Sequence, residues 1–559
     1  MKKFTKAILP FLFIALLVSA KFSNAQSPSW MWAKSAATNA NGTNGGSSLC
    51  VDQSGNVYVT GHFNTNTIVF GAFTFTNANT NGSEDIFIVK YDALGNVLWA
   101  KSSGGTNLDT GIGINTDASG NVYVTGYFQS TSISFSTTTL TNTAFSTNIF
   151  VVKYDASGNL VWAKTTSGGN AVRGRSISSD ASGNVYVTGE FGTSTLTVGT
   201  STLTSSGILD ILVIKYDVAG NVLWAKGAGG SQNDYGNGIS VDGTGNVFVT
   251  GYFISNSITC GTNTLTNSGA NDLFLIQYDA SGNVQWAKRA GGSGNDVSNS
   301  VSAESGGNAY ITGSFESTIS IGTTTLVNAG FAGSTDIFIA KYDGTGNVLW
   351  AKSIGANSND VGYSITTHTS GNVYVTGSFF SFPIVIGTTT LTNSGSDDIF
   401  IAKYDGLGNS LWAKGTGGAS FDVSTSISVD AAGNAHVTGY FNSNSVPFGG
   451  TNLIKTGGNI MLFVAKLDNV ITGITNENNS NTEFNIYPNP SNGLFEIGIK
   501  ENSISSLKIT NLLGQIVFQQ ELNSVKESIN LQNLESGVYN LSLILKDKIM
   551  FNKKLIIQK

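Results

Sequence analysis

One run of residues recurs so regularly that it limits the architecture before any other feature is weighed. Gly245-Asn246-Val247-Phe248-Val249-Thr250-Gly251-Tyr252-Phe253 has close versions at seven places, marked by Thr60-Gly61, Thr125-Gly126, Thr188-Gly189, Thr250-Gly251, Thr312-Gly313, Thr376-Gly377 and Thr438-Gly439. Successive pairs lie 65, 63, 62, 62, 64 and 62 residues apart. Self-similarity at a near-constant period marks a repeat architecture, in which each unit buries its apolar face against its neighbours. A chain of 559 residues is too long for one ordinary core, and an array of such units removes that difficulty.

The fourth repeat reads as four strands. Ile239-Ser240-Val241 alternates as a short first strand, and Asp242 to Asn246 makes a turn into a second strand, Val247 to Gly251. A Ser/Thr-rich stretch from Ile254 to Asn267 carries a hairpin of its own. Leu273 to Tyr278 is the third strand, Asp279 to Asn283 the next turn, and Val284 to Lys288 the fourth strand. Four antiparallel strands per unit, repeated radially, is the blade pattern of a β-propeller. In the Asp-x-x-Gly-Asn turns the Asp side chain bonds the backbone ahead and Gly supplies the left-handed residue. Gly-Asn occurs in thirteen such turns, seven after first strands (Gly55 to Gly433) and six after third strands (Gly95 to Gly408). The missing fourteenth locates the closure. Trp32 begins a Trp-Ala-Lys run with no third strand before it, whereas Leu462 to Asp468 is a third strand with no fourth after it. Trp30 to Lys34 therefore supplies the outer strand of the last blade. The expected fold is all-β: a closed seven-bladed propeller over residues 26–468, unless a partner molecule closes it.

The ends read differently. Residues 1–25 have the form of a signal peptide: Lys2, Lys3 and Lys6, an apolar run from Ala7 to Ala20, then small residues at Ser23-Asn24-Ala25. The run is short for a membrane span. Residues 469–483 are rich in Asn and read as a linker. From Phe484 onward there is no Trp, and eight Lys face six acids in a chain whose net charge is −6. Alternating segments such as Leu507 to Thr510 and Tyr539 to Leu545 predict a small β-sandwich over residues 484–559. No basic stripe is visible, which argues against a nucleic-acid partner. Cys50 and Cys260 fall in different repeats, so neither a disulfide framework nor a thiolate metal site is expected.

Two resemblances follow from these residues. Gly120-Asn121-Val122-Tyr123-Val124-Thr125-Gly126 and Lys90-Tyr91-Asp92-x-x-Gly95-Asn96-x-x-Trp99-Ala100-Lys101 resemble the SBBP β-propeller repeat of secreted bacterial proteins. That resemblance implies a propeller outside the cytoplasm and no defined activity. Tyr487-Pro488-Asn489-Pro490-Ser491-Asn492-Gly493, then Asn511-Leu512-Leu513-Gly514-Gln515, then Leu534 to Tyr539 with Gly537, resemble the type A sorting domain of the type IX (Por) secretion system. It implies a Gram-negative bacterium, the type IX machinery as partner, and a secreted or surface-attached product whose tail is removed.

For the chemistry, the repeats act as an internal alignment: residues shared by every blade fold the blade, and symmetry-breaking residues are the functional candidates. The repeated Phe (Phe63 to Phe441) and Trp read as packing, and the Lys after each Trp-Ala guards an edge strand. The face opposite the Gly-Asn turns carries the variable loops, where binding concentrates. Arg173, Arg175 and Arg289, the only arginines, fall there in blade-to-blade connections and suit carboxylate or phosphate recognition. Asp109, Asp234, Asp296, Asp360 and Asp422, with Asn44 and Val172 in the other blades, lie near the channel mouth. They could ring a cation or cap loops. The Asp turns lack the alternating acids of a calcium loop, so Ca2+ has no support there and no cofactor is implied. No nucleophilic or metal triad assembles from His62, His368 and His436. These features predict a non-enzymatic binding or adhesion propeller, with glycans or surface proteins as partners. An extracellular polysaccharide hydrolase, needing a carboxylate pair in one pocket, or a structural envelope protein are the alternatives.

Overall fold

The structure is a computed structural model. It describes residues 28–38, 42–79, 82–142, 146–167, 171–192, 195–457, 459–469, 484–499, 506–511, 515–522, 524, 526–545 and 548–559. The expected signal peptide, nearly all of the expected linker and Gly514 lie outside them. The chain divides into two compact units, Ser27–Val470 and Ile471–Lys559. Every named element is a strand, and among the described residues no helix is long and apolar enough to cross a membrane.

Among its described residues the first unit contains seven antiparallel sheets of four strands, one of them extended by a neighbouring hairpin. The second sheet is representative: Asp109–Thr116, Val122–Phe128, Asn148–Tyr154 and Leu160–Thr165 pair in chain order from inner to outer. The last sheet differs. Its strands Asp422–Val429, Ala435–Phe441 and Met461–Leu467 are completed by Trp30–Lys34 from the start of the chain, with Ala33 opposite Ala465. Each inner strand lies against the inner strand of the next sheet, and Asp422–Val429 lies against Asn44–Val51.

The burial pattern explains the repeated residues. Middle strands such as Val122–Phe128 and Asn148–Tyr154 are covered on both faces, so they read as nearly continuous apolar runs. Outer strands are only half covered. Seven apolar clusters each join one sheet to its neighbour, and one of these joins Trp32, Leu462 and Val464 of the last sheet to Leu49, Val57, Phe63 and Phe87 of the first. Between the second and third strands sits the extra hairpin, as Ser257–Cys260 with Asn263–Thr266, turned by Gly261 at φ +59°.

In the second unit, Phe484–Tyr487, Leu494–Ile499 and Lys526–Asn530 form one sheet. Ile516–Glu521, Ser506–Thr510, Gly537–Leu545 and Lys548–Ile557 form another. Phe495, Ile497 and Ile529 from the first meet Leu507, Ile509, Leu541 and Leu543 from the second in one core.

Candidate functional site

The face carrying the Gly-Asn turns is occupied by its own architecture. Asp52 accepts the N–H groups of Ser54 and Asn56 at 2.9 Å on Oδ1, while Oδ2 accepts from Asn56 Nδ2 and Tyr58 Oη. With Gly55 at φ +78°, the turn uses its carboxylate fully and leaves none for calcium. Trp224 Nε1 and Lys215 Nζ both donate to Ala280 O of the next sheet, at 3.1 and 3.0 Å, and Lys215 lies over the Tyr186 ring. These repeated groups latch one sheet to the next.

The five aligned aspartates do not form a cation ring. All are fully buried and turned into their own sheets. Asp109 Oδ1 accepts from the N–H of Gln129 and Ser130, and Oδ2 from Ser130 Oγ at 2.6 Å. Asp234, Asp360 and Asp422 repeat the bond to Ser255, Ser381 and Ser443. Among the described residues no three His, Cys, Asp or Glu side chains converge as metal ligands. Each aspartate faces a second one at the start of the preceding sheet's third strand: Asp85 with Asp109, Asp210 with Asp234, Asp272 with Asp296, Asp336 with Asp360, Asp398 with Asp422. Burial, and secondarily the neighbouring carboxylate, pushes Asp85, Asp210, Asp336 and Asp398 up to about 6 and Asp296 up to about 7.

The inner strands carry the symmetry-breaking chemistry. Each contains a β-bulge opposite the Thr-Gly step of the second strand. The extra residue is Ser47, Ile112, Arg175, Asn237, Asn299, Tyr363 or Thr425 in successive sheets. A bulge leaves one residue outside the ladder and re-aims its side chain. Here five of them converge: Ile112, Arg175, Asn237, Asn299 and Tyr363, joined by Tyr252, line one cavity of about 400 Å³. Where glycine precedes the bulge, the sheets pack closely. A Cβ on Gly111 or Gly236 would collide with Thr60 Oγ1 or Thr188 Oγ1 of the preceding sheet. Asn237 Nδ2 and Asn299 Nδ2 donate across to Ser298 O and Gly362 O, both at 3.0 Å.

One wall of this mouth is charged. Glu190, fully buried, accepts Arg175 Nε at 2.6 Å and Nη2 at 3.1 Å, and Arg173 Nη1 at 3.4 Å. Arg173 lies over Tyr127 and Arg175 over Tyr235, each at 5.3 Å, and Tyr235 stacks on Tyr252 at 4.9 Å. Burial opposes the Arg175 charge, but Glu190 outweighs it and raises the guanidinium above its ordinary range. The arginines sit on strands and not in connections. Arg173 and Arg175 belong to the inner strand Arg173–Ser179, whereas Arg289 is on the outer strand Val284–Gly292, bonded to Asp272 and Ser268. Arg289 is therefore not part of this cluster. The histidines are scattered: His62 is 3.9 Å from Glu84, His368 bonds Ser370, and His436 bonds Asp430.

Comparison with known families finds one match in each unit. A β-propeller repeat model matches residues 223–257, and a secretion system C-terminal sorting domain model matches residues 485–558. The chain carries an SBBP-type β-propeller repeat and a type IX sorting domain. The sorting domain marks it for export to the cell surface or extracellular space. An uncharacterized WD repeat-containing protein of Acanthamoeba polyphaga mimivirus is 28% identical over 456 residues, 67% of this chain and 32% of that protein. Regulatory protein FlaEY of Caulobacter vibrioides is 25% identical over 328 residues, 54% of this chain and 33% of that one. The chain thus spans about a third of the length of each. Solved structures with a similar arrangement include Sqt1 of Chaetomium thermophilum (TM-score 0.35, 9% identity, 78% of this chain and 85% of that chain). Another is PorZ, a surface component of the type IX secretion system of Porphyromonas gingivalis (TM-score 0.26, 11% identity, 92% of this chain and 81% of that chain).

In the sorting domain, the Pro488 to Gly493 landmark fastens the chain to its last strand. Asn489 Oδ1 accepts Ile556 N–H at 2.8 Å, Ser491 N–H donates to Ile556 O, and Gln558 N–H donates to Ser491 O. Gly493, at φ +97°, lies against the backbone of Gln532, where a Cβ would not fit. In the propeller repeats, the sequence missed the bulge position and Glu190. Their signal was available: the residue three after each aligned Asp varies in every repeat but one pair, between positions that hardly change.

Proposed function

We propose that residues 26–468 form a closed seven-bladed β-propeller, joined by a linker at 469–483 to a sorting sandwich at 484–559, and that it acts at the cell surface as a non-enzymatic binding or adhesion module. Closure is supported by the pairing of Trp30–Lys34 with Met461–Leu467 and by the apolar cluster joining the last sheet to the first. The sorting domain engages the type IX machinery, and the channel mouth engages the partner, a glycan or a surface protein.

One observation carries the binding assignment: five bulge residues of four different kinds and Tyr252 converge on one cavity in an otherwise repetitive molecule. Its size and its mixture of aromatic faces with a few oriented polar groups are those of a small-ligand site. Arg, Asn and Tyr supply hydrogen bonds and ring faces, which suits recognition of hydroxylated rings. The test is a glycan array probed with the full chain and with Tyr252→Ala. Selective binding lost in the variant is the expected result. Binding that survives Tyr252→Ala unchanged would place the site elsewhere, and a blank array would remove the glycan as partner.

A further inference from the structure

The blade interfaces differ in charge: five carry a pair of buried aspartates, two do not, and only one of those two carries arginines. Five interfaces hold two buried aspartates around a connector glycine: Asp85, Gly104 and Asp109, and their equivalents at Asp210/Gly229/Asp234, Asp272/Gly291/Asp296, Asp336/Gly355/Asp360 and Asp398/Gly417/Asp422. At the interface between the second and third blades all three change together, to Asn148, Ser167 and Val172. Thr166 Oγ1 donates to Asn148 Oδ1 at 2.7 Å, so the polar contacts there are neutral. The residue after Val172 is Arg173, and Arg175 follows at the bulge. The one place where arginines enter the mouth is thus a place from which both carboxylates have been removed.

What remains there is a net positive charge. Two guanidinium groups share a single carboxylate, Glu190. Arg173 makes one long contact to it and keeps Nε and Nη2 without partners among the described residues. The Tyr127 ring lies 5.3 Å from that guanidinium. Both arginine side chains are about a third exposed, at 30% and 33%, so their remaining donors face solvent. The third arginine of the chain is already neutralised by Asp272. Beside this charge, the stacked Tyr235 and Tyr252 rings offer an apolar face to a sugar ring, and no described hydrogen bond occupies their hydroxyls.

We infer that the mouth takes an anionic saccharide, a pyranose carrying a carboxylate or a sulfate, with Arg173 meeting the anion and the Tyr235–Tyr252 stack supporting the ring. This rests on the reading of the channel mouth as the binding site. Planar guanidinium groups match both anions through paired N–H donors, and a charge-assisted bond of this kind is worth on the order of tenfold or more in affinity.

The test is isothermal titration of the full chain with three oligosaccharides of equal length: an oligogalacturonate, a sulfated galactan and an uncharged galactan. Arg173→Gln and Val172→Asp are titrated alongside, with melting curves to show that each variant is folded. The inference expects one or both anionic oligosaccharides to bind, at least about tenfold more tightly than the neutral one. That preference should shrink at high salt and fall about tenfold in Arg173→Gln. Val172→Asp restores the acid found in five other blades and should weaken anion binding while the fold persists. The arm that binds distinguishes uronate from sulfate. Equal binding of the neutral galactan, or anionic binding untouched by Arg173→Gln, overturns the inference and leaves the binding-module reading standing. Silence of all three overturns the inference, and a blank glycan array beside it would remove the glycan as partner as well.

Discussion

The buried aspartate pairs predict that this propeller becomes less stable as the pH rises from about 4 to about 7. The sixth interface shows why. Asp398 and Asp422 are 2% and 0% exposed, Asp398 Oδ2 accepts Ser394 N–H at 2.8 Å, and Asp398 Oδ1 has no partner and rests against Gly417. Burial, with Asp422 adding repulsion, moves the Asp398 carboxyl from 3.8 to about 6. A carboxyl whose folded pKa lies above its unfolded value contributes stability that is fully present below about pH 4 and is lost as the pH passes through 6. At 1.36 kcal/mol per pH unit, Asp398 alone accounts for roughly 3 kcal/mol between those limits. Five interfaces act in the same direction, so the full effect exceeds that of one group, although coupled pairs do not add simply. Carboxylates held below their ordinary range, such as Asp430, act oppositely, but only in the acid range below pH 4. The perturbation is Asp398→Asn, a change already present at the equivalent Asn148. The assay is the melting temperature from pH 5 to 8.5. Wild type should lose stability over that range, and the variant should lose less, by about 1.4 kcal/mol, the part of the Asp398 effect that falls above pH 5. A wild-type melting temperature that holds or rises from pH 5 to 8, or an unchanged slope in Asp398→Asn, would refute the reasoning.

Other consequences follow from the same contacts. Gly104→Ser should destabilise by several kcal/mol because its Cβ would meet Asp85 Oδ1, and Asp85→Asn should recover part of that loss, since Asn148 and Ser167 coexist at their interface; a double-mutant cycle by chemical denaturation measures the coupling. Trp224→Ala removes an inter-blade bond and a half-buried ring and should cost about 3 kcal/mol in the same assay. Glu190→Gln leaves two arginines sharing a neutral amide and should cost about 2 kcal/mol, less than for a wholly buried pair because the arginines are partly exposed. Deleting residues 28–34 exposes Met461–Leu467 along one edge and should produce a markedly lower melting temperature with self-association visible by light scattering.

Much of the propeller unit was legible because its signals are local. Asp52, Gly55 and Asn56 make a turn whose every bond lies within six residues, so the spacing alone predicts it. The pairing of Trp30–Lys34 with Met461–Leu467 was legible for another reason: an outer strand without a third strand, and the converse, can only be reconciled with each other. The site was harder. A bulge breaks the alternation that a strand pattern relies on, so Arg175 and Tyr363 could not be assigned to the channel from period alone. Glu190 sits on the second strand, where other blades have His62, Tyr127 or Ser314, and only the register Arg173↔Glu190 places it between the arginines. The aligned aspartates were seen, but their partners lie about twenty residues on, in Ser130 and its equivalents, and across the interface in Asp85 and its equivalents. Local spacing contains neither contact.

The central claim is that the ring of inner-strand bulges forms the recognition site. A crystal structure of the full chain with the saccharide or partner fragment that binds it tests this most directly. The account predicts the ligand in the cavity, touching Arg175, Tyr252 and Tyr363. A ligand seated on the Gly-Asn turn face or against the outer strands, with the cavity empty, would contradict it.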